Sequence, residues 1–217
     1  MVEPHKATVV KQYNTNTTTT YNVTYLDHKI VTTVTKSPTE VTSWITDIKS
    51  IHHQPTIVGL DTESQKPVST LQLCVSHNCL IYQLTHSPEI PSSLREFLGD
   101  PNWVFSGVGV GSDVKLLAKD YDLVVANKVD VSRVAAEMKK VRVNAGLKEV
   151  AKTVLGWEVE KCKEITMSQW GNEVLDDAQV MYACLDAFVS YQLAKELSNC
   201  PGFDDNELKR VSFRNKL

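Results

Sequence analysis

Apolar and polar positions alternate with a period of two at Tyr21, Val23 and Tyr25, and again at Ile30, Thr32 and Val34, with a break at Leu26-Asp27-His28-Lys29. That period belongs to strands and the break to a turn, so the segment predicts a hairpin. Ahead of it, Asn14-Thr15-Asn16-Thr17-Thr18-Thr19-Thr20 is polar and repetitive, and residues 1–20 are expected to form a flexible tail. Ser37-Pro38-Thr39-Glu40 offers an N-cap, a proline at the first helical position and a capping-box glutamate. A helix to Lys49 follows from these signals.

Thr56-Ile57-Val58-Gly59-Leu60 is a short β-branched and apolar run that reads as a buried strand, and it leads into Asp61-Thr62-Glu63-Ser64. Ser69 to Val75 and Cys79 to Leu84 continue as strands around the turn-like Ser76-His77-Asn78, giving three antiparallel strands in succession. Beyond them the pattern predicts a helix over 91–98, a strand at Trp103-Val104-Phe105 and a helix from Asp113 to Asp120 capped by Ser112. A strand at Leu123 to Ala126 and helices over 131–139, 147–155 and 176–197 complete the prediction. Strands in a meander followed by alternating helices and strands make an α/β fold, a mixed central sheet flanked by helices.

The last helix is apolar nearly all round. Val180, Cys184, Ala187, Phe188 and Tyr191 form one face, and Met181, Leu185, Val189 and Leu193 a second, so the helix is expected to be buried. Tyr182 and Asp186, four residues apart, project together. A buried carboxylate needs a cation, a donor or a raised pKa, and a simple Tyr-to-Asp hydrogen bond would also serve. Asp61 and Glu63 share one face of their strand, and like charges held that close call for a cation between them or a retained proton. Solvated charges at a strand end are the plainer alternative. Gly59 fits a close approach of another backbone or a ligand. Asp113 follows spaced glycines at a helix start, where the helix dipole favours an acid in any case.

Composition narrows the classes. The chain has 217 residues, 42% of them hydrophobic, enough for one sizeable core. No apolar run approaches membrane-spanning length, and the start Met-Val-Glu-Pro-His-Lys has no apolar stretch behind its charges. The chain is therefore expected to be intracellular, with no membrane partner and no disulfides among its five cysteines. A formal net charge of −3 argues against coating nucleic acid by bulk electrostatics, yet leaves room for an enzyme whose acidic cluster recruits divalent cations to the phosphates. Cys74, His77 and Cys79 lack the paired spacing of a zinc knuckle, and Gly107-Val108-Gly109-Val110-Gly111 lacks the ending of a phosphate loop.

Asp61-x-Glu63, Asp113 and Tyr182-x-x-x-Asp186 occur in the order of exonuclease motifs I, II and III, and they resemble the DEDDy branch of the DnaQ-like 3′-to-5′ exonucleases. Gly146-Leu147-Lys148-Glu149-Val150-Ala151 and Ser168-x-Trp170 add to the resemblance, which runs from Tyr21 to Leu197. It is nearest to the plant relatives of the Werner-type exonuclease domain, and among those to the plant RISC-interacting clearing exoribonucleases. Ser64 departs from the aromatic residue that Werner-like members carry, and Met181 stands where a sister branch has histidine.

The resemblance implies a ribonuclease H-like fold, with the exonuclease domain over 21–200 and a C-terminal tail over 201–217. It implies Asp61, Glu63, Asp113 and Asp186 as ligands of two Mg²⁺ or Mn²⁺ ions and Tyr182 as the residue that orients the attacking water. It further implies single-stranded RNA 3′ ends as substrate, release of nucleoside 5′-monophosphates, Argonaute or RISC components as partners, a homo-oligomer such as a hexamer, and a cytoplasmic or nuclear location. A Werner-type DNA exonuclease and a catalytically silent binding module are the alternatives. Trp170 and the run Lys139-Lys140-Val141-Arg142 are candidate substrate contacts that could equally be core packing and a solvated helix end.

Overall fold

The alternating segments pair into one eight-stranded mixed sheet. The computed structural model describes residues 7–51, 56–138 and 140–199. Its strands are β1 (Thr8–Asn14), β2 (Thr18–Tyr25), β3 (His28–Thr35), β4 (Thr56–Ser64), β5 (Val68–Val75), β6 (Asn78–Gln83), β7 (Trp103–Gly107) and β8 (Lys128–Asp130). They lie in the order β1-β2-β3-β6-β5-β4-β7-β8. β1 to β3 form an antiparallel meander, as do β4 to β6, and the two join through parallel β3 and β6. On the other side β7 runs parallel to β4, and β8 parallel to β7.

Helices cover both faces. On one, α1 (Pro38–Ile51), α2 (Ser92–Gly99) and α3 (Val110–Tyr121) bury Val41, Trp44, Phe97 and Leu117 against Val58, Leu60, Leu71 and Leu73. On the other, α4 (Val131–Glu137), α5 (Leu147–Leu155) and α7 (Asp177–Ser198) share a core with Val23, Ile30, Cys74 and Ile81. The short α6 (Lys163–Thr166) precedes α7. At α1 the Ser37 hydroxyl accepts from the Glu40 amide at 3.3 Å, the cap expected at that position. Val41, Trp44, Ile45 and Ile48 are its buried stripe.

α7 begins with the capping box expected from Asp176 and Gln179, each side chain bonded to the other's backbone. Its buried residues surround the helix, because it is pressed between the sheet and α5. Each fully buried valine, leucine or phenylalanine on it contributes roughly 1.5–3 kcal/mol. Gly59 makes the close seat of this helix on β4 possible: a Cβ there would overlap the Ala187 carbonyl and come within 2.9 Å of the Tyr191 amide. The close approach expected at Gly59 is thus that of another backbone.

Three expectations change. Residues 8–14, expected in a flexible tail, form β1, and β2 starts at Thr18, so the sheet reaches into the threonine tract. Threonine is β-branched, and pairing with the neighbouring strand satisfies this polar backbone without any buried side chain. Leu123 to Ala126 is not a strand: Leu123 and Val125 are buried, yet the ladder beside β7 is made by Lys128–Asp130. The third helix begins at Val110, capped by Gly109 with φ +72°, and not at Asp113 with Ser112 as cap. Glycine adopts that left-handed backbone at no steric cost. The expected tail over 201–217 lies outside the described residues, as does Lys139 of the basic run.

Candidate active site

Along β4, Val58 and Leu60 point into the core beneath α1 and α3, while Gly59 meets α7. Alternation therefore carries Asp61 and Glu63 toward α7 on the same side as Gly59. There they meet Asp186, which reaches them from the middle of the buried helix. One ligand atom from each of Asp61, Glu63 and Asp186 lies within 4.8 Å of the others. Asp186 and Glu63 are buried and Asp61 half-buried.

Asp113 stands at the margin of this trio. Thr62, whose side chain points to the opposite face of β4, donates its hydroxyl to Asp113 Oδ1 at 2.7 Å. Asp113 belongs to the first turn of α3, which the exit from β7 through Gly107 and Gly109 places beside the end of β4. The structure thus gathers three of the four expected ligands and holds the fourth within electrostatic reach of Asp61.

Burial raises the pKa of every acid in the group. The Asp61 carboxyl is pushed well above the usual range by burial and then by the charges of Asp186, Asp113 and Glu63. Glu63 is pushed up to about 8, by burial first and by Asp186 next. Burial also raises Asp113 and Asp186, against the hydrogen bond from Thr62 in the first case and the charge of Lys161 in the second. These groups gain from any cation placed among them.

Tyr182 lies one helical turn before Asp186 and is buried. Its hydroxyl accepts from Thr166 Oγ1 at 3.1 Å, and its ring packs against Trp170 at 6.0 Å between centroids. Burial and the Asp186 charge push the phenol up to about 12, so it stays protonated at neutral pH. Trp170 is only 1% exposed and donates to the Thr166 carbonyl at 3.2 Å, which makes it a buttress of Tyr182 and not a surface contact. Arg142, from the basic run, pairs with Glu149 at 2.9 Å on the surface.

Lys161 was not legible in the sequence. It sits in the charged run Glu158-Val159-Glu160-Lys161-Cys162-Lys163, where nothing separates it from Lys163. Its Nζ donates to Asp186 Oδ2 at 2.8 Å and lies 5.4 Å from the centre of the Tyr182 ring. Burial opposes its charge, but the charge and hydrogen bond of Asp186 outweigh that and raise its pKa. A cavity of about 110 Å³ opens beside the group, lined by Tyr25, Ile165, Met181, Tyr182, Leu185 and Asp186 among others.

All the ligand atoms on offer in the trio are carboxylate oxygens, hard donors that fit Mg²⁺ or Mn²⁺ better than a soft metal. The sequence model of a family described as 3′-5′ exonuclease matches residues 32–200. The chain belongs to the DnaQ-like 3′-5′ exonuclease family.

Relatives of this exonuclease-family chain include the exonuclease 3′-5′ domain-containing protein 2 of Drosophila melanogaster, 31% identical over 72% of this chain and 28% of that protein. A 3′-5′ exonuclease of Arabidopsis thaliana is 30% identical over 66% of this chain and 53% of its own length. The bifunctional 3′-5′ exonuclease/ATP-dependent helicase WRN of Mus musculus is 30% identical over 66% of this chain and 11% of the longer protein. The exonuclease-family chain thus spans between about a tenth and about half of these relatives. In fold it is similar to Escherichia coli RNase D, with a TM-score of 0.66 at 15% identity, covering 85% of this chain and 50% of that one. Brucella melitensis NrnC gives 0.62 at 20% identity, covering 73% and 81%. The ribonuclease H-like fold expected from the motif order is the fold observed.

Proposed function

We propose that this protein is a metal-dependent 3′-to-5′ exoribonuclease of the DEDDy type that hydrolyses single-stranded RNA from its 3′ end to nucleoside 5′-monophosphates. The observation that carries the reading is the convergence of Asp61, Glu63 and Asp186 within 4.8 Å on the α7 side of β4, with Asp113 and Tyr182 at its edges. A like-charged buried cluster costs stability unless it serves a cation. Its place at the carboxyl end of β4, beside parallel β7, is where open α/β sheets receive ligands.

Asp61, Glu63 and Asp186 would hold one divalent ion, and Asp61 with Asp113 a second. Bound there, the pair would supply an activated water and neutralise charge at the leaving 3′ oxygen. The protein's own groups do the rest. Tyr182, protonated and held by Thr166, orients the attacking water as a hydrogen-bond partner and not as a base. Thr62 fixes the Asp113 carboxylate so that it faces the end of β4.

RNA is preferred over DNA in this reading because of the resemblance to the plant clearing exoribonucleases, with Ser64 exposed where a Werner-type aromatic would stand. The same resemblance supports a role in small-RNA-guided silencing with Argonaute components, a homo-oligomer and a cytoplasmic or nuclear location. The test is digestion of 5′-labelled single-stranded RNA and DNA of one sequence in Mg²⁺ or Mn²⁺, by the intact protein and by Asp61→Ala. A ladder shortening from the 3′ end on RNA, lost with EDTA and in the variant, is expected. Preferential cutting of DNA would move the assignment to the Werner type, and intact strands under every metal would leave a binding module.

A further inference from the structure

Lys161 is the basic side chain inside the carboxylate group, and neither the family motifs nor the chemistry above gives it a task. Its ammonium donates to Asp186 Oδ2 at 2.8 Å, with the carboxylate side chain only 5% exposed and the lysine 37% exposed. It is also the cation whose charge acts on all four acids, lowering the pKa of Asp61, Glu63, Asp113 and Asp186 alike. The residue is therefore seated where a divalent ion held by the trio would also have to balance charge. The two cannot both take full advantage of Asp186, because an ammonium at hydrogen-bond distance and a dication on the same carboxylate repel each other at short range.

We propose that Lys161 is a built-in counter-cation of this site, exchanged for the divalent ion: the ion takes over Asp186, and the lysine withdraws toward solvent. This deepens the metal-binding reading above and rests on it. The geometry allows the exchange. Lys161 lies on the irregular segment between α5 and α6, its Nζ sits 5.4 Å from the centre of the Tyr182 ring, and its side chain is partly exposed to solvent. Asp186, by contrast, is fixed in the middle of α7 and cannot follow. Lysine suits such a role better than arginine, since it presents a compact charge on a flexible stem with no planar fork to hold it in place. The consequence is a site that is electrostatically tolerable before loading, and whose metal affinity is set below what three carboxylates would otherwise give. Lys161 acts through Asp186, so it is a positioning residue.

Two measurements test this, and neither reads nuclease activity. The first is titration calorimetry of Mn²⁺ binding to the full chain at alkaline pH, for wild type, Lys161→Met and Lys161→Arg. Lys161→Met should bind Mn²⁺ roughly ten- to a hundredfold more tightly, since a charge-assisted hydrogen bond no longer has to be broken. It should also melt at a lower temperature than wild type in EDTA and at the wild-type temperature in saturating Mn²⁺. Lys161→Arg should restore the wild-type affinity to within a few-fold. Unchanged or weakened Mn²⁺ binding in Lys161→Met overturns the proposal. The second uses the wild-type protein alone, so it stands even if a variant fails to fold. Acylation of Lys161, followed by mass spectrometry, should speed up several-fold when Mg²⁺ or Mn²⁺ is added; equal or slower labelling overturns the exchange. A wild-type chain that binds neither metal removes the metal-site reading and this inference together. A chain that exchanges Lys161 for metal but cuts no strand leaves the inference standing and removes only the nuclease.

Discussion

Burial, with the charge of Asp186 behind it, pushes the Glu63 carboxyl up to about 8, and Asp61, Asp113 and Asp186 are raised with it despite the opposing charge of Lys161. The sign of the consequence follows from proton counting. A carboxyl whose folded pKa exceeds its unfolded value keeps a proton in the native state that the unfolded chain has released, so stability falls as pH rises between the two values. For Glu63 that window runs from 4.5 to about 8. In EDTA the melting temperature should therefore drop through this range and level off above it. With Mg²⁺ present the drop should shrink, because the ion binds the deprotonated form and releases protons. A flat profile in EDTA would show that these acids do not titrate as a group. Substitution makes the same point at one residue. Asp61→Asn relieves repulsion, so it should raise stability in EDTA by about 0.5–2 kcal/mol while abolishing both hydrolysis and the metal-dependent shift, readable by urea unfolding with and without Mg²⁺.

At the level of elements, β4 and α7 build the site together, and Gly59 sets their distance. A Cβ there meets the Ala187 carbonyl and the Tyr191 amide, which are backbone atoms of a helix held by its full apolar circumference and unable to yield locally. Gly59→Ala should cost about 3 kcal/mol or more in urea unfolding and lower activity further by lifting Asp186 away from Asp61. Loss of stability with unimpaired turnover would mean that the helix tilts without moving its carboxylate. β4 and α7 were also the most legible parts of the sequence. The period of two placed Asp61 and Glu63 on one face, the all-round apolar pattern made α7 a buried helix, and the capping box fixed its start. β1 was hidden because almost all of its side chains are exposed, so its strand character rests on pairing with β2, which no hydrophobic period records. Leu123 and Val125 misled for the opposite reason: they are buried, but by a loop packing beneath α2 and α3. Thr62 and Lys161 serve the site through contacts between residues 51 and 25 positions apart, information that a local pattern does not hold.

For the molecule as a whole, the sheet order brings the carboxyl ends of β3, β6, β4 and β7 to one edge, and the acidic group lies on that edge. The segment before α7 is lashed along the same edge by side chains. Gln65 holds Ser168 and Gly171, His86 holds Gly171, Gln83 holds Asn172 and Glu173, and Lys36 pairs with Glu173. The wall beside the site is therefore polar and largely self-satisfied, in a chain whose formal net charge is −3. The phosphates of a substrate strand are therefore expected to be gripped mainly through ions held by the carboxylates. The expected signature is a shallow salt dependence. With Ca²⁺ in place of Mg²⁺ to suppress cutting, the affinity for a short single-stranded RNA should fall with a log–log slope of magnitude about 2 or less, against roughly 0.7 per phosphate neutralised by lysine or arginine on a single strand. Chelation should remove most of the binding outright. A steep slope that survives EDTA would instead locate a basic surface, supplied by residues outside those described or by a second copy of the chain, as the principal grip on the nucleic acid.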